Sequence, residues 1–208
     1  MARYTGPKCK LCRREGKKLF LKGKKCDLVK CLIEKKGAVP PGELPKRRRP
    51  RVTDYGRRLR EKQRIKRTYG VLESQFRRYL SEVDRSDGDF GLSLMRLLES
   101  RLDNVIRRLG YTWSLNTARQ LVRHGHILVN GEKVDIPSYN IKEGQVISLT
   151  PEARKLLIVQ QALSEIPTED IPSWLVRKGD VGKVGRLPDK DDFAEDFDFG
   201  LILEFYSR

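Results

Sequence analysis

Residues 99–131 read ESRLDNVIRRLGYTWSLNTARQLVRHGHILVNG. Three patterns meet in this stretch. Leu94, Leu97, Leu98, Leu102, Val105, Ile106 and Leu109 recur at helical spacing and predict one helix ended by Gly110. Ser114 is placed to cap a second, shorter helix, with Ala118, Leu121 and Val122 inward and Gly125 as its stop. Ile127-Leu128-Val129, the pair Asn130-Gly131 and Lys133-Val134 then predict a hairpin, because both turn residues need positive φ. Gln145 to Leu149 reads as a further strand after the Glu143-Gly144 turn. Helices leading into a small antiparallel sheet make this part α+β.

Polar residues are left over once the apolar positions have packed: Arg101, Arg107, Arg108, Ser114, Thr117, Arg119, Gln120, Arg123, His124, His126 and Asn130. Arg119 and Arg123 are one i,i+4 step apart and are expected to share a face. Guanidinium forks take phosphates bidentately, and amides reach 2′-hydroxyls or base edges, so such a face suits RNA. The bland alternative for each arginine is a solvated surface charge. Asp103, among Arg101, Arg107 and Arg108, reads as a group that orients arginines rather than one that performs chemistry. His124-Gly125-His126 has no third ligand or paired carboxylate nearby in sequence, so carbonyl capping or RNA stacking is favoured over metal or acid–base work.

Upstream of this stretch the charge changes character. The chain has 208 residues with 44 Lys+Arg, 28 Asp+Glu and a formal net charge of +16. Residues 1–70 carry a net +19, and residues 71–208 a net −3. A polyanion is the partner such a block implies, against the bland reading of a solubility tail. Its candidate contacts are Arg3, Lys8, Arg13 and Arg14, the linker cations Lys46, Arg47, Arg48, Arg49 and Arg51, and the cations of a helix beginning at Thr53 and stopped by Gly70. That helix carries Arg57, Arg58, Arg60, Lys62, Arg64, Lys66 and Arg67, with Tyr55 and Leu59 as its expected buried edge. Another helix is expected over 73–84, with Leu72, Phe76, Leu80 and Val83 on one side.

All four cysteines lie near the start: Cys9 and Cys12, then Cys26 and Cys31. Two close pairs pinched together make a closed four-thiolate site, which suits one structural Zn²⁺. The basic setting is expected to favour thiolates. Two disulfides and an iron–sulfur cluster are the alternatives. The two histidines are not needed as ligands.

Downstream, residues 152–164 look helical, and Leu201 to Tyr206 reads as either strand or helix. Residues 187–208 carry seven acids against two bases, so direct RNA contact there is not expected. No apolar run approaches the ~18 residues of a membrane span. The start, Met1-Ala-Arg-Tyr-Thr-Gly-Pro, lacks the apolar segment of a secretory signal, so a cytoplasmic location is expected.

The Arg101-Leu102-Asp103-Asn104 helix start, the Ala118-Arg119-Gln120-Leu121-Val122 run with His124-Gly125, and Val129-Asn130-Gly131 resemble the RNA-binding module named after ribosomal protein S-four. The start Arg3-Tyr4, Gly6-Pro7, Cys9, Cys12-Arg13-Arg14-Glu15-Gly16 resembles the bacterial small-subunit ribosomal protein S-four family in its four-cysteine branch. So do Leu59-Arg60-Glu61-Lys62-Gln63, Tyr69-Gly70 and the closing Glu204-Phe205-Tyr206-Ser207-Arg208. The resemblance implies a zinc knuckle with basic linker over 1–45, a helical rRNA-binding domain over 46–97, and the S-four-type module with a C-terminal extension over 98–186. It leaves open a return of 187–208 to the helical domain. It also implies a non-enzymatic constituent of the 30S subunit that binds a junction in the 5′ domain of small-subunit rRNA early in assembly. The implied neighbours are ribosomal proteins S-five and S-three and messenger RNA near the channel by which it enters, and the implied contact with S-five influences decoding accuracy. Many relatives carry arginine just after the serine that starts the second module helix, where this chain has Leu115 and Asn116. Residues 164–183 carry no transferred role.

Two other classes fit parts of the pattern. An RNA-modifying enzyme anchored by the same module needs a further catalytic domain, and the roughly 60 residues after 150 are short for one. A zinc-ribbon DNA-binding regulator suits the basic first third, but the module reads RNA shape more naturally than a major groove.

Overall fold

The computed structural model describes residues 3–42, 51–85, 88–193 and 197–207. In chain order these form α1 (Lys8–Glu15), α2 (Leu32–Lys36), α3 (Asp54–Thr68), α4 (Glu73–Val83), α5 (Phe90–Glu99), α6 (Leu102–Arg108), α7 (Leu115–Arg123), β1 (Ile127–Val129), β2 (Glu132–Lys133), β3 (Val146–Leu149), α8 (Pro151–Arg154), α9 (Leu157–Glu165), β4 (Leu175–Lys178), β5 (Val181–Val184) and α10 (Phe199–Tyr206). Short 3₁₀ turns lie between them. Among the described residues no helix is long and apolar enough to cross a membrane.

Packing divides the chain into two units, one of Met1–Glu82 with Glu195–Arg208 and one of Val83–Ala194. The division falls upstream of the 97/98 boundary read from the sequence, because α5 joins the second unit. It also leaves residues 1–45 and 46–82 in one unit, with α10 packed on α3.

In the second unit all strands pair antiparallel, in the order β2-β1-β3-β5-β4. One face of the sheet, including Ile127, Val129, Ile147, Leu149, Leu175 and Val184, is buried with Leu102, Val105, Ile106, Leu109, Leu121 and Val122 from the helices. The hairpin turn is built as its sequence predicts, with Asn130 at φ +50 and Gly131 at φ +86.

The single helix expected over 94–109 is two. Arg101 is extended (φ −62, ψ 134) and bridges Asn140, while the Leu102 amide donates to the Tyr139 carbonyl at 2.8 Å and the Ile141 amide to the Ser100 carbonyl at 2.8 Å. Pairing with the 139–141 segment therefore takes the backbone groups that an unbroken helix would use. Residues 152–164 also form two helices, α8 and α9, separated at the extended Leu156. The stretch 164–183, unread from sequence, supplies β4 and most of β5. Residues 201–206 are helical.

In the first unit α3 is capped by Thr53, whose Oγ1 accepts from the Gly56 amide at 3.1 Å. Its expected buried edge is wrong. Tyr55 is 57% exposed and Leu59 is half-buried, whereas Lys62, Arg64, Ile65, Lys66 and Thr68 are buried. Leu72 is likewise exposed, while Phe76, Leu80 and Val83 are buried.

Candidate nucleic-acid interface

The helix α7 and the turn after it carry the densest candidate set. Ser114 Oγ caps the helix by accepting from the Thr117 amide at 3.2 Å, and it is held in place by a hydrogen bond with Thr117 Oγ1 at 2.8 Å. The Arg119–Arg123 face is split by the fold. Arg119 is buried and donates to Asp103 Oδ2 from Nε at 2.9 Å and from Nη2 at 2.6 Å. Arg101 is 1% exposed and grips the same carboxylate through Nε and Nη2, at 3.1 and 2.9 Å. Asp103 thus orients two arginines, as expected, although the second is Arg119 rather than Arg107 or Arg108. Arg108 donates to both oxygens of Glu99 at 3.0 and 2.6 Å, and Arg107 lies half-buried beside Asn104 Oδ1 at 3.4 Å.

What faces outward here is Gln120, Arg123, His124 and Asn130, with His126 half-buried. The two imidazole rings are 6.0 Å apart. Asn130 spends its Oδ1 on the Val146 amide at 2.8 Å, leaving its side-chain NH₂ outward. Lys133, which sequence reading missed, folds over the turn, where a Cβ on Gly125 would collide with its Cε. Gly125 sits at φ +70, a left-handed backbone that suits glycine, while the mobile end of the Lys133 side chain lies over it. The available signal was register, since Lys133 pairs opposite Leu128.

In the first unit the candidates divide in the same way. Arg3, Arg14, Arg51 and Arg57 are exposed. Lys8 donates to the Tyr4 carbonyl at 2.7 Å, and Arg13 to the carbonyls of Val39 and Pro40 at 2.8 and 3.1 Å. Arg58 pairs with Glu204 at 2.6 Å. Arg60 and Arg67 both donate to Glu15, whose side chain is 1% exposed. Lys62 and Lys66 meet on Glu73, and Arg64 pairs with Glu61 at 3.0 Å and covers the Phe197 ring at 4.7 Å. The α3 cations thus mostly hold protein together instead of forming an open phosphate-binding face. Sequence reading also missed the exposed Lys10 one turn from Arg14 on α1, and Arg77 and Arg78 on α4. Lys46, Arg47, Arg48 and Arg49 lie outside the described residues.

Glu73 shows how these pairs work. Burial pushes its carboxyl up, but hydrogen bonds from Lys66 and from Tyr206 Oη at 2.7 Å, with the Lys66 and Lys62 charges, bring it down to about 2. Burial in turn pulls the Lys62 ammonium below its ordinary value, with Glu73 opposing. The Glu15 carboxyl is pushed up by burial despite Arg67 and Arg60.

The four cysteines are free thiols that line one cavity, with Leu19, Leu21 and Ile33 among its walls. The Lys22 amide donates to Cys26 Sγ at 3.4 Å. Burial raises the Cys12 and Cys26 thiols, opposing the thiolate preference expected from the basic setting. Among the described residues no group of three or more histidine, cysteine, aspartate or glutamate side chains is arranged to hold a metal ion.

Comparison with known proteins accounts for both units. The "Ribosomal protein S4/S9 N-terminal domain" family matches residues 3–99, and the "S4 domain" family matches residues 100–147. The "Small ribosomal subunit protein uS4" of Dictyoglomus turgidum is 51% identical over 210 aligned residues, covering all of both chains. Those of Thermus thermophilus and Halothermothrix orenii are 47% and 48% identical, also over both full lengths. The chain belongs to the uS4 family of small ribosomal subunit proteins. The family boundary at 99/100 and the packing boundary at 82/83 differ by one helix, α5, which matches the N-terminal family and packs with the second unit.

Proposed function

We propose that this protein is a non-enzymatic constituent of the small ribosomal subunit that binds small-subunit rRNA at a junction of its 5′ domain and promotes assembly there. Family membership over the whole chain carries this reading. The outward set at the end of α7, with the exposed cations of α1 and the start of α3, supports it: these groups reach phosphates while the buried arginines hold their supports in place. Ribosomal proteins S-five and S-three are the protein neighbours on this reading, with messenger RNA passing nearby, and the contact with S-five tunes translational accuracy.

The same reading assigns Cys9, Cys12, Cys26 and Cys31 to one Zn²⁺. Four thiols lining one cavity, with the Lys22 amide donating to Cys26 Sγ, supply the donor type and number that Zn²⁺ takes, and binding would have to draw them into a coordinating arrangement. The metal would supply a coordinate cross-brace for the short elements of residues 8–36. The fold brings the sulfurs to one cavity, and the Lys8, Lys18 and Lys22 that share its lining would offset the thiolate charge.

Lysate sedimentation tests the main reading. The protein should travel with the small subunit through moderate salt, and the purified chain should lose about 10³–10⁵ in affinity for a 5′-domain transcript between 50 and 200 mM salt if six to ten phosphates are contacted. Recovery in free or DNA-bound fractions would overturn it.

A further inference from the structure

The sheet of the second unit has one face buried against the helices and one face open. Its registers place a single row across all five strands: Lys133 opposite Leu128, Leu128 opposite Ser148, Ser148 opposite Val181, and Val181 opposite Lys178. Side chains on a strand alternate between faces, and Ile127, Val129, Ile147 and Leu149 are buried, so this row lies on the other side. The row begins and ends in lysine, about 19 Å apart at ordinary strand spacing. The neighbouring row adds Lys183, paired with Val146 and Val176. All three lysines are exposed, and none has a carboxylate partner among the described residues. The carboxylate at the β4–β5 turn, Asp180, is paired with Arg154 at 2.6 Å. Between the lysines the surface is small or apolar, with Val176 50% and Val181 38% exposed.

A face of this kind is not explained by its own chain. Exposed surfaces usually intersperse charges of both signs, whereas the open-face row carries cations and no acid, the exposed Glu132 of β2 being in register with the buried Val129 and so off that row. At one edge Lys133 leans over Gly125 into the His124–His126 turn, so the face runs on into the outward set already described.

We propose that this open sheet face is a second RNA-binding surface, on which Lys133, Lys178 and Lys183 neutralise phosphates of one RNA segment while Leu128, Val176 and Val181 underlie its sugars. The inference rests on the rRNA-binding reading and extends it to the stretch 164–184, whose β4 and β5 supply two of the three lysines. Charge complementarity selects the occupant: cations without acids take a phosphate backbone. A length of about 19 Å covers several phosphates of a strand spaced at about 3.4 Å along a duplex axis.

The test uses the full chain and a transcript of the 5′ domain of small-subunit rRNA. Acetylation of the three lysines, read by mass spectrometry, should be suppressed in the complex. The variant Lys133→Gln/Lys178→Gln/Lys183→Gln should keep its melting temperature and lower the slope of log affinity against log salt by about two to three. Equal labelling with and without RNA, together with an unchanged slope, overturns the proposal. Protection that appears only when other small-subunit proteins are added also overturns it, and gives the face to a protein. If the unsubstituted chain shows no salt-dependent binding at all, the rRNA-binding reading itself fails, and this one with it.

Discussion

In Val83–Ala194 the interior is apolar, and its few buried charges are closed sets. Asp103 is enclosed by Arg101 and Arg119, and Glu99 by Arg108 and Asn104. In the other unit the longest helix, α3, buries cations instead. Its inner side offers Ile65 but also Lys62, Arg64 and Lys66, so packing it means burying aliphatic stems with the charged heads passed to Glu73 and Glu61. Aromatic rings of the returning segment complete the job: Lys62 lies 4.0 Å from the Phe205 centroid, and Arg64 covers Phe197. The difference teaches that a block of positive charge is not by itself a nucleic-acid surface. A small unit without enough leucine spends part of its basic sequence on its own interior. A unit with a full apolar core can leave its lysines on the outside of a sheet.

The contrast breaks in a definite order. Largest is the effect expected of the proposed metal. Structural zinc sites contribute on the order of 10–16 kcal/mol in small peptides. Cys26→Ser should therefore release one zinc equivalent and raise amide exchange over residues 8–36 while leaving 99–149 protected. Purified chain that has the same protection without zinc would remove the metal from the account. Next is Asp103→Asn, which strips the buried charge from between two buried arginines. Breaking one partner of such a set costs about 3–5 kcal/mol. Both tryptophans, Trp113 and Trp174, lie in this unit, so the loss should appear in a fluorescence-monitored urea transition. An unshifted midpoint would mean the arginines find other acceptors.

Smaller, and opposite in location, is Glu73. Its carboxyl lies at about 2 in the folded chain against an ordinary 4.5. The group's contribution is therefore complete above pH 4.5 and is lost as pH falls from there toward 2. Because the side chain is 35% exposed, solvent screens part of the effect. Glu73→Gln should flatten the acid limb of the stability curve, read by circular dichroism, with little change in tryptophan fluorescence. Identical acid limbs for the two proteins would show that Lys62 and Lys66 are held by something other than this carboxylate.

Much of the second unit was legible because its signals are local and redundant. The cap at Ser114, the stops at Gly110 and Gly125 and the Asn130-Gly131 turn each speak for the element beside them. The break at Arg101 was not legible, because leucine spacing runs on through it. Only the distant 139–141 segment supplies the competing hydrogen bonds. Strands β4 and β5 were missed for a related reason: each has four residues, and Gly179 between them reads as a loop. The family was legible in short motifs spread from Arg3 to Arg208. The candidate contacts were legible only as a list of cations. Sequence shows that Arg119 and Arg123 share a helix, but not that an aspartate sixteen residues upstream draws one of them inside.

The smallest effect separates two roles at one residue. Thr53 and Ser114 are the N-caps of one helix in each unit, and both side chains accept from the amide three residues on. Replacing either with alanine should cost about 1 kcal/mol of stability. If Thr53 and Ser114 are caps and nothing more, neither change alters rRNA affinity once the folded fraction is equal. Aspartate sharpens the comparison, because it caps as well as serine but brings a negative charge. Thr53→Asp and Ser114→Asp should both keep the melting temperature of the parent. Ser114→Asp should then weaken rRNA binding if phosphate approaches the start of α7, because the new carboxylate meets it with like charge. Equal affinity for Ser114→Asp and the parent would assign Ser114 to the helix alone and confine the α7 interface to Gln120, Arg123 and the His124–His126 turn.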